Sequence, residues 1–171
     1  MISPLRQALL SYDGKTVSTL RQAAMPFAGD KGYMDNLIAL CGDEDPLVQE
    51  AASWLIKASL EDGLTLSAAQ TKSLLGAGGA AQTWQTQLHF CQSVPYLTIP
   101  AAAADKTAHT LAPFLTHKRP FLRAWSLTAL AHLAEQHEAH EEAAQAALET
   151  AFDDKAASVR ARARQLTSAI F

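Results

Sequence analysis

The chain has little of what marks a catalyst, a membrane protein or a nucleic-acid binder. Among 171 residues there are two cysteines, Cys41 and Cys91. Both lie in apolar helical contexts and no CxxC occurs, so buried free thiols are expected rather than a disulfide or redox pair. No run of about 18 apolar residues occurs, so no membrane-spanning helix is predicted. The start, Met1-Ile2-Ser3-Pro4-Leu5-Arg6-Gln7, lacks the basic onset and apolar centre of a signal peptide, which makes the cytoplasm the expected location. Basic charge is also short: 14 Lys and Arg face 17 Asp and Glu, for a net charge of -3, a balance that argues against a phosphate-backbone partner. β-branched residues in period-two alternation are missing, and no strand is predicted. Nucleophile elbow, P-loop and HExxH are absent, as are paired carboxylates on apolar walls. Nothing favours an enzyme, and neither a cofactor nor a metal is expected.

What the chain does have is helix-forming power. Hydrophobic residues make up 49%, and roughly a fifth of the chain is alanine, the best helix former. Caps and breakers predict helices over 4–11, 16–25, 31–41, 46–60, 68–75, 80–93, 101–116, 120–135, 138–152 and 155–170. Ser3, Asp43 to Asp45 and Ser67 serve as N-terminal caps, while Pro4, Pro46 and Pro120 sit at first helical positions. Pro113 is expected to kink or end its helix early, and 94–100 to form an extended connector. The expected organisation is one domain over 1–171. Four helix pairs, 31–62, 66–94, 101–136 and 138–170, follow an atypical pair within 1–30.

A phrase recurs in the second helices. It reads Asp45-Pro46-Leu47-Val48-Gln49-Glu50-Ala51-Ala52, then Arg119-Pro120-Phe121-Leu122-Arg123-Ala124-Trp125-Ser126, then Asp154-Lys155-Ala156-Ala157-Ser158-Val159-Arg160-Ala161. Val48, Leu122 and Val159 hold the same place, at a period of about 37 residues with the first gap two periods long. Units of this length bury their apolar faces only by stacking on one another.

An Asp a few places before Val-Arg-x-x-Ala resembles the HEAT repeat. The match is good at 45–52 and 154–163, fair at 120–130 and poor at 82–91, and the resemblance covers nearly all of the chain after residue 30. It implies an all-α, right-handed HEAT/armadillo-like superhelix whose second helices line the concave face. It also implies scaffolding and protein-binding roles, with nucleic-acid binding in some members. In that family the Asp and Arg of the phrase tend to pair between neighbouring repeats. Arg123 and Arg160 match the Arg position, Gln49 replaces it in the first clear repeat, and a partial ladder of Arg123, Arg160, Asp45 and Asp154 is expected.

The leading expectation is a non-catalytic protein-interaction module. Trp54, His89, Arg123, Trp125, Arg160 and Arg164 are its candidate contacts, with Gln49, Glu50 and Gln85 beside them, because aromatic and Arg anchors dominate binding energy. In the phrase frame Trp54 lies six after Val48, Trp84 close to the slot that Val48 holds, and Trp125 three after Leu122. Trp84 is therefore assigned to the core, and core packing is also the leading reading of Trp54 and Trp125, with the groove as the alternative that makes them contacts. Two other readings come from the resemblance: nucleic-acid binding or alkylated-base repair, as in the HEAT-like alkylpurine glycosylases, and a bilin-handling role, which no residue supports specifically.

Three local features have bland explanations. Gly76-Ala77-Gly78-Gly79-Ala80-Ala81 fits a relaxed dinucleotide fingerprint, but helix precedes it where a strand is needed, so a glycine turn with positive φ is expected. His132, His137 and His140 stand among Glu135, Glu138, Glu141 and Glu142. On one continuous helix they would suit a metal, whereas the repeat frame places them at a solvated turn between helices. Glu135 to Asp154 carries seven acids and no Lys or Arg, and Lys155 to Arg164 four bases and no acid. The pattern suits antiparallel packing with cross-helix ion pairs; a solvated terminal cap is the expected reading, and an anion-binding edge is the alternative.

Overall fold

The computed structural model describes residues 3–170 and holds, among them, ten α-helices and no strand. They are α1 (Pro4–Leu9), α2 (Val17–Ala24), α3 (Tyr33–Leu40), α4 (Pro46–Glu61), α5 (Ala68–Ala77), α6 (Trp84–Ser93), α7 (Ala101–Leu111), α8 (Pro120–Gln136), α9 (Glu141–Phe152) and α10 (Ala157–Ile170). Local chemistry sets their starts. Ser3 Oγ accepts from Arg6 N and Asp45 Oδ1 from Leu47 N. Ser67 and Gln70 close a reciprocal capping box, and Thr83 Oγ1 accepts from Thr86 N. Each such cap is worth about 1 kcal/mol. Pro113 ends α7 as expected, in a 3-10 turn over Ala112–Thr116. Further 3-10 turns at Gly78–Ala80 and Glu138–His140 delay α6 and α9 by a few residues relative to the sequence expectation.

The helices form an α-solenoid of two layers. Second helices α4, α6, α8 and α10 pack in succession, α3, α5 and α7 form the outer row, and α9 packs on α8 and α10. One contiguous set of buried apolar side chains runs from Leu5 to Ala144, and a smaller set around Leu127, Leu148, Val159 and Ala163 seats α10. Val48, Leu122 and Val159, the recurring apolar position, are all buried. Cys41 and Cys91 are buried free thiols, and burial pushes both pKa values up, Cys41 to about 12.

One polar position fixes the register of the repeats. Immediately after each buried apolar residue, a side chain donates to the carbonyl six residues earlier. Gln49 Nε2 reaches Asp43 O at 2.8 Å, Arg123 Nη1 reaches His117 O at 2.7 Å, and Arg160 Nη1 reaches Asp154 O at 2.6 Å. Gln87 Nε2 makes the same bond to Ala81 O at 3.4 Å. This recovers the frame of the poorly matching repeat and puts buried Thr86, not Trp84, in the Val48 slot. Trp84 opens α6 instead.

The same side chains reach forward to the next repeat. Arg123 forks onto Asp154, with Nε–Oδ2 and Nη2–Oδ1 both 2.8 Å. Gln49 accepts from Gln82 N at 3.0 Å and donates to Ala80 O at 3.2 Å. In the N-terminal pair Arg6 forks onto Asp43 at 2.7 and 2.8 Å. Asp43 and Asp154 are equivalent residues, each also accepting from the backbone N–H two residues on. The ladder acid of the first clear repeat is therefore Asp43, while Asp45 caps α4. Arg160 bonds the Asp154 carbonyl and, among the described residues, pairs with no carboxylate. Gln87 Oε1 is buried with no partner, so the α6–α8 junction carries a half-made clamp.

The Arg123–Asp154 pair is largely shielded, its side chains 8% and 15% exposed. Removing one partner strands the other in a water-poor site. Arg123→Ala should cost about 2 kcal/mol, read by urea denaturation, and Asp154→Asn nearly as much. A double variant no worse than either single one shows the coupling. Additive losses would mean that the fork does not hold the junction.

Candidate functional site

Counted from the clamp residue, three rows of side chains face outward along the inner helices. Two positions before it stand Leu47, Gln85, Phe121 and Ser158. Two positions after it stand Ala51, His89, Trp125 and Arg162, and five after it Trp54, Gln92, Thr128 and Gln165. These offsets put all three rows on one side of each helix. Ala51 is buried; the others are half-buried or exposed. Leu47 is 40% and Phe121 53% exposed, high for large apolar side chains.

All three tryptophans are half-buried, backed by the apolar core and covered by a cation. The Arg21 guanidinium lies 5.0 Å from the Trp54 ring centroid and Lys57 Nζ 5.7 Å from it. Arg119 lies 4.1 Å from the Trp84 ring and Arg162 4.5 Å from that of Trp125. Arg162 is further held by a 2.9 Å bond from Nη1 to Thr128 Oγ1. Indole and guanidinium attract through the ring quadrupole, so the tryptophans act as backing plates that hold cations at the surface.

The sequence-selected residues divide by depth. Trp54, Trp125 and His89 lie on this inner side. Arg123 lies beneath it, spent on Asp154 and the His117 carbonyl. Gln49 and Glu50 are buried and Gln85 half-buried. Arg160 and exposed Arg164 sit where a further repeat would stack, at the clamp position and four after it. Sequence reasoning missed Arg21, Lys57, Arg119, Arg162, Leu47 and Phe121. Arg162 was legible as the two-after-clamp residue of the last repeat; Arg119 and Arg21 come from neighbouring elements and left no local signal.

His89 links two inner helices: its Nδ1 lies 2.9 Å from Ser53 Oγ. Burial, reinforced by Lys57, lowers its pKa to about 4, so the ring is neutral near pH 7. The clustered histidines, His132, His137 and His140, are used separately to fasten the segment before and within α7. His132 Nε2 lies 3.1 Å from Leu97 O, His137 Nε2 2.9 Å from Ile99 O, and His140 Nε2 3.2 Å from Asp105. Among the described residues no three His, Cys, Asp or Glu side chains converge as metal ligands.

Two other expectations are corrected. The glycines of 76–79 have no positive φ; that conformation occurs at Gly14, Gly32 and Gly63. Gly78 serves close packing, because a Cβ there would overlap the Phe90 ring. The charged blocks of α9 and α10 do not pair: among the described residues no ion pair joins the two helices. Glu141, Glu142 and Glu149 stand exposed on α9, and the bases of α10 lie on the inner layer or at the end of the solenoid.

No helix of the described residues is long and apolar enough to cross a membrane. No family model matches the chain, and no curated protein matches it. Solved structures do. An engineered protein from a structural-genomics programme aligns over 99% of this chain and 80% of its own, at 15% identity and a TM-score of 0.60. A designed armadillo repeat protein in complex with the peptide (KR)4 aligns over 93% of this chain and 77% of its own, at 19% identity and a TM-score of 0.56. The fold is a helical-repeat solenoid of the armadillo kind.

The His89 environment predicts a pH dependence. Its folded pKa lies below the unfolded value near 6.5, so its contribution to stability is complete above that value and is lost as pH falls toward 4. Between pH 7 and pH 4 the wild type should lose about 2–3 kcal/mol more stability than His89→Gln, which does not titrate. Denaturant titrations across that range measure it, and parallel curves for the two proteins would refute a buried neutral ring.

Proposed function

We propose that the chain is a non-catalytic protein-interaction module that docks an extended segment of a partner protein along the inner side of α4, α6, α8 and α10. The observation that carries this reading is the set of four cations seated on three indoles, together with exposed Leu47 and Phe121 along the inner helices. Such side chains are held before a partner arrives, so less ordering entropy is lost on binding. Trp54, His89, Trp125, Arg162 and Phe121 make the contact surface in this reading, with Arg160 and Arg164 extending it at the C-terminal end. Arg123 contributes from below by fixing the angle between α8 and α10. The peptide held by the designed armadillo protein supports the reading by analogy of fold.

Leu47→Ser with Phe121→Ser tests it, because both side chains are exposed and their loss should leave the melting temperature nearly unchanged. Affinity capture from native lysate should recover a protein with the wild type and lose it with the double variant. Equal capture by both would move the contact surface elsewhere; no captured protein would reject the reading.

A further inference from the structure

The inner surface is electrostatically one-sided at its C-terminal half. Arg119 over Trp84 and Arg162 over Trp125 are paired with no carboxylate among the described residues. At the N-terminal end the corresponding cations are already neutralised. Lys57 Nζ lies 3.0 Å from Glu61 and Arg21 lies 3.7 Å from Asp62. Glu138, Glu141, Glu142 and Glu149 lie on α9 and the turn before it, and Asp154 is taken by Arg123, so none of these offsets Arg119 or Arg162. Phe121 is exposed, two residues after Arg119 and four before Trp125 along α8.

Resting on the peptide-docking reading above, we infer that the inner side of α8 and α10 takes an acidic linear segment of its partner. Carboxylates of that segment meet the guanidinium edges of Arg119 and Arg162, and an apolar side chain between them covers Phe121. The sign is opposite to that of the (KR)4 peptide on the designed armadillo protein. A guanidinium seated on an indole and bonded to no carboxylate still has N–H groups to offer, and these match a carboxylate fork. Arg162 is further aligned by Thr128. Nucleic acid would also bring negative charge, but it needs open aromatic faces on which bases stack. Here each indole has the core behind it and a guanidinium in front, and the chain as a whole carries a net charge of -3.

Selection of a random twelve-residue peptide library displayed on phage, against the immobilised full chain, tests this. Enriched peptides should be rich in Asp and Glu around one apolar residue. A synthetic peptide from the enriched pool should bind Arg119→Gln/Arg162→Gln at least ~10-fold more weakly than the wild type, with the variant still folding cooperatively and its melting temperature lowered by only a few degrees. Arg162→Lys, which keeps the charge but not the fork, should fall between. Enrichment of neutral or basic peptides, or equal binding by the double variant, overturns the acidic assignment and leaves peptide docking standing. No enrichment at all overturns both. Displacement of the selected peptide by a short oligothymidylate at lower concentration than by unlabelled peptide would overturn the assignment in favour of nucleic acid.

Discussion

The structure depends on one repeated polar contact, the clamp that ties each inner helix to the loop before it and to the loop of the next repeat. Apolar stacking alone does not specify how far one repeat slides along its neighbour, because alanine-rich helix faces are nearly uniform. A side chain that must satisfy a carbonyl six residues back and a loop in the next repeat has one register only. At Arg123 the contact is a two-pronged, largely buried fork, at Gln49 a set of amide bonds, and at Gln87 half of one. Leaving a buried group unpaired costs more than making the bond gains, so these contacts act more against wrong registers than for the right one.

The clamp also decides what the inner side can offer. It occupies the Arg of the recurring phrase, so Arg123, the most conspicuous cation in the sequence, is unavailable to a partner. Exposed chemistry falls to positions the repeat does not need. There the tryptophans do something the sequence does not announce: each covers core with one side and carries a cation on the other. A flexible arginine loses rotamer freedom when it binds, and one already seated on an indole has lost much of it in advance.

Much of the fold was readable because its causes are local. Caps, prolines and the buried Val48, Leu122 and Val159 place the helices within a few residues. The fourth member of the series escaped because Thr86 replaces the apolar residue and Gln87 the Arg, leaving no phrase to match. Asp45 opens the recurring phrase and so takes the place of the ladder acid when the phrase alone is aligned. The equivalent of Asp154, five before Val159, is Asp43, five before Val48, and that spacing was present in the sequence. The candidate surface was legible only in part. Trp54 and Trp125 carry a signal of residue type, whereas the seating of Arg119 on Trp84 joins residues 35 apart through the solenoid's own stacking. The acidic and basic blocks looked like partners because they are adjacent in sequence. In three dimensions α9 belongs to the outer side and α10 to the inner, which separates their charges.

The position two after the clamp shows how this fold separates stability from recognition. It holds Ala51, His89, Trp125 and Arg162 in turn: a buried methyl, a neutral ring bonded to Ser53, an indole and a cation. Four side chains so unlike in size and charge occupy one structural slot without disturbing the register, because the clamp two residues earlier has already set it. The slot looks onto the inner surface and reaches back toward the preceding helix, as Arg162 does to Trp125 and Thr128. Changes there alter what the surface attracts while leaving the clamp itself intact. Arg123 and Arg162, two residues apart in the repeat frame and identical in type, therefore serve different ends: the first sets the angle between α8 and α10, and the second presents charge across it.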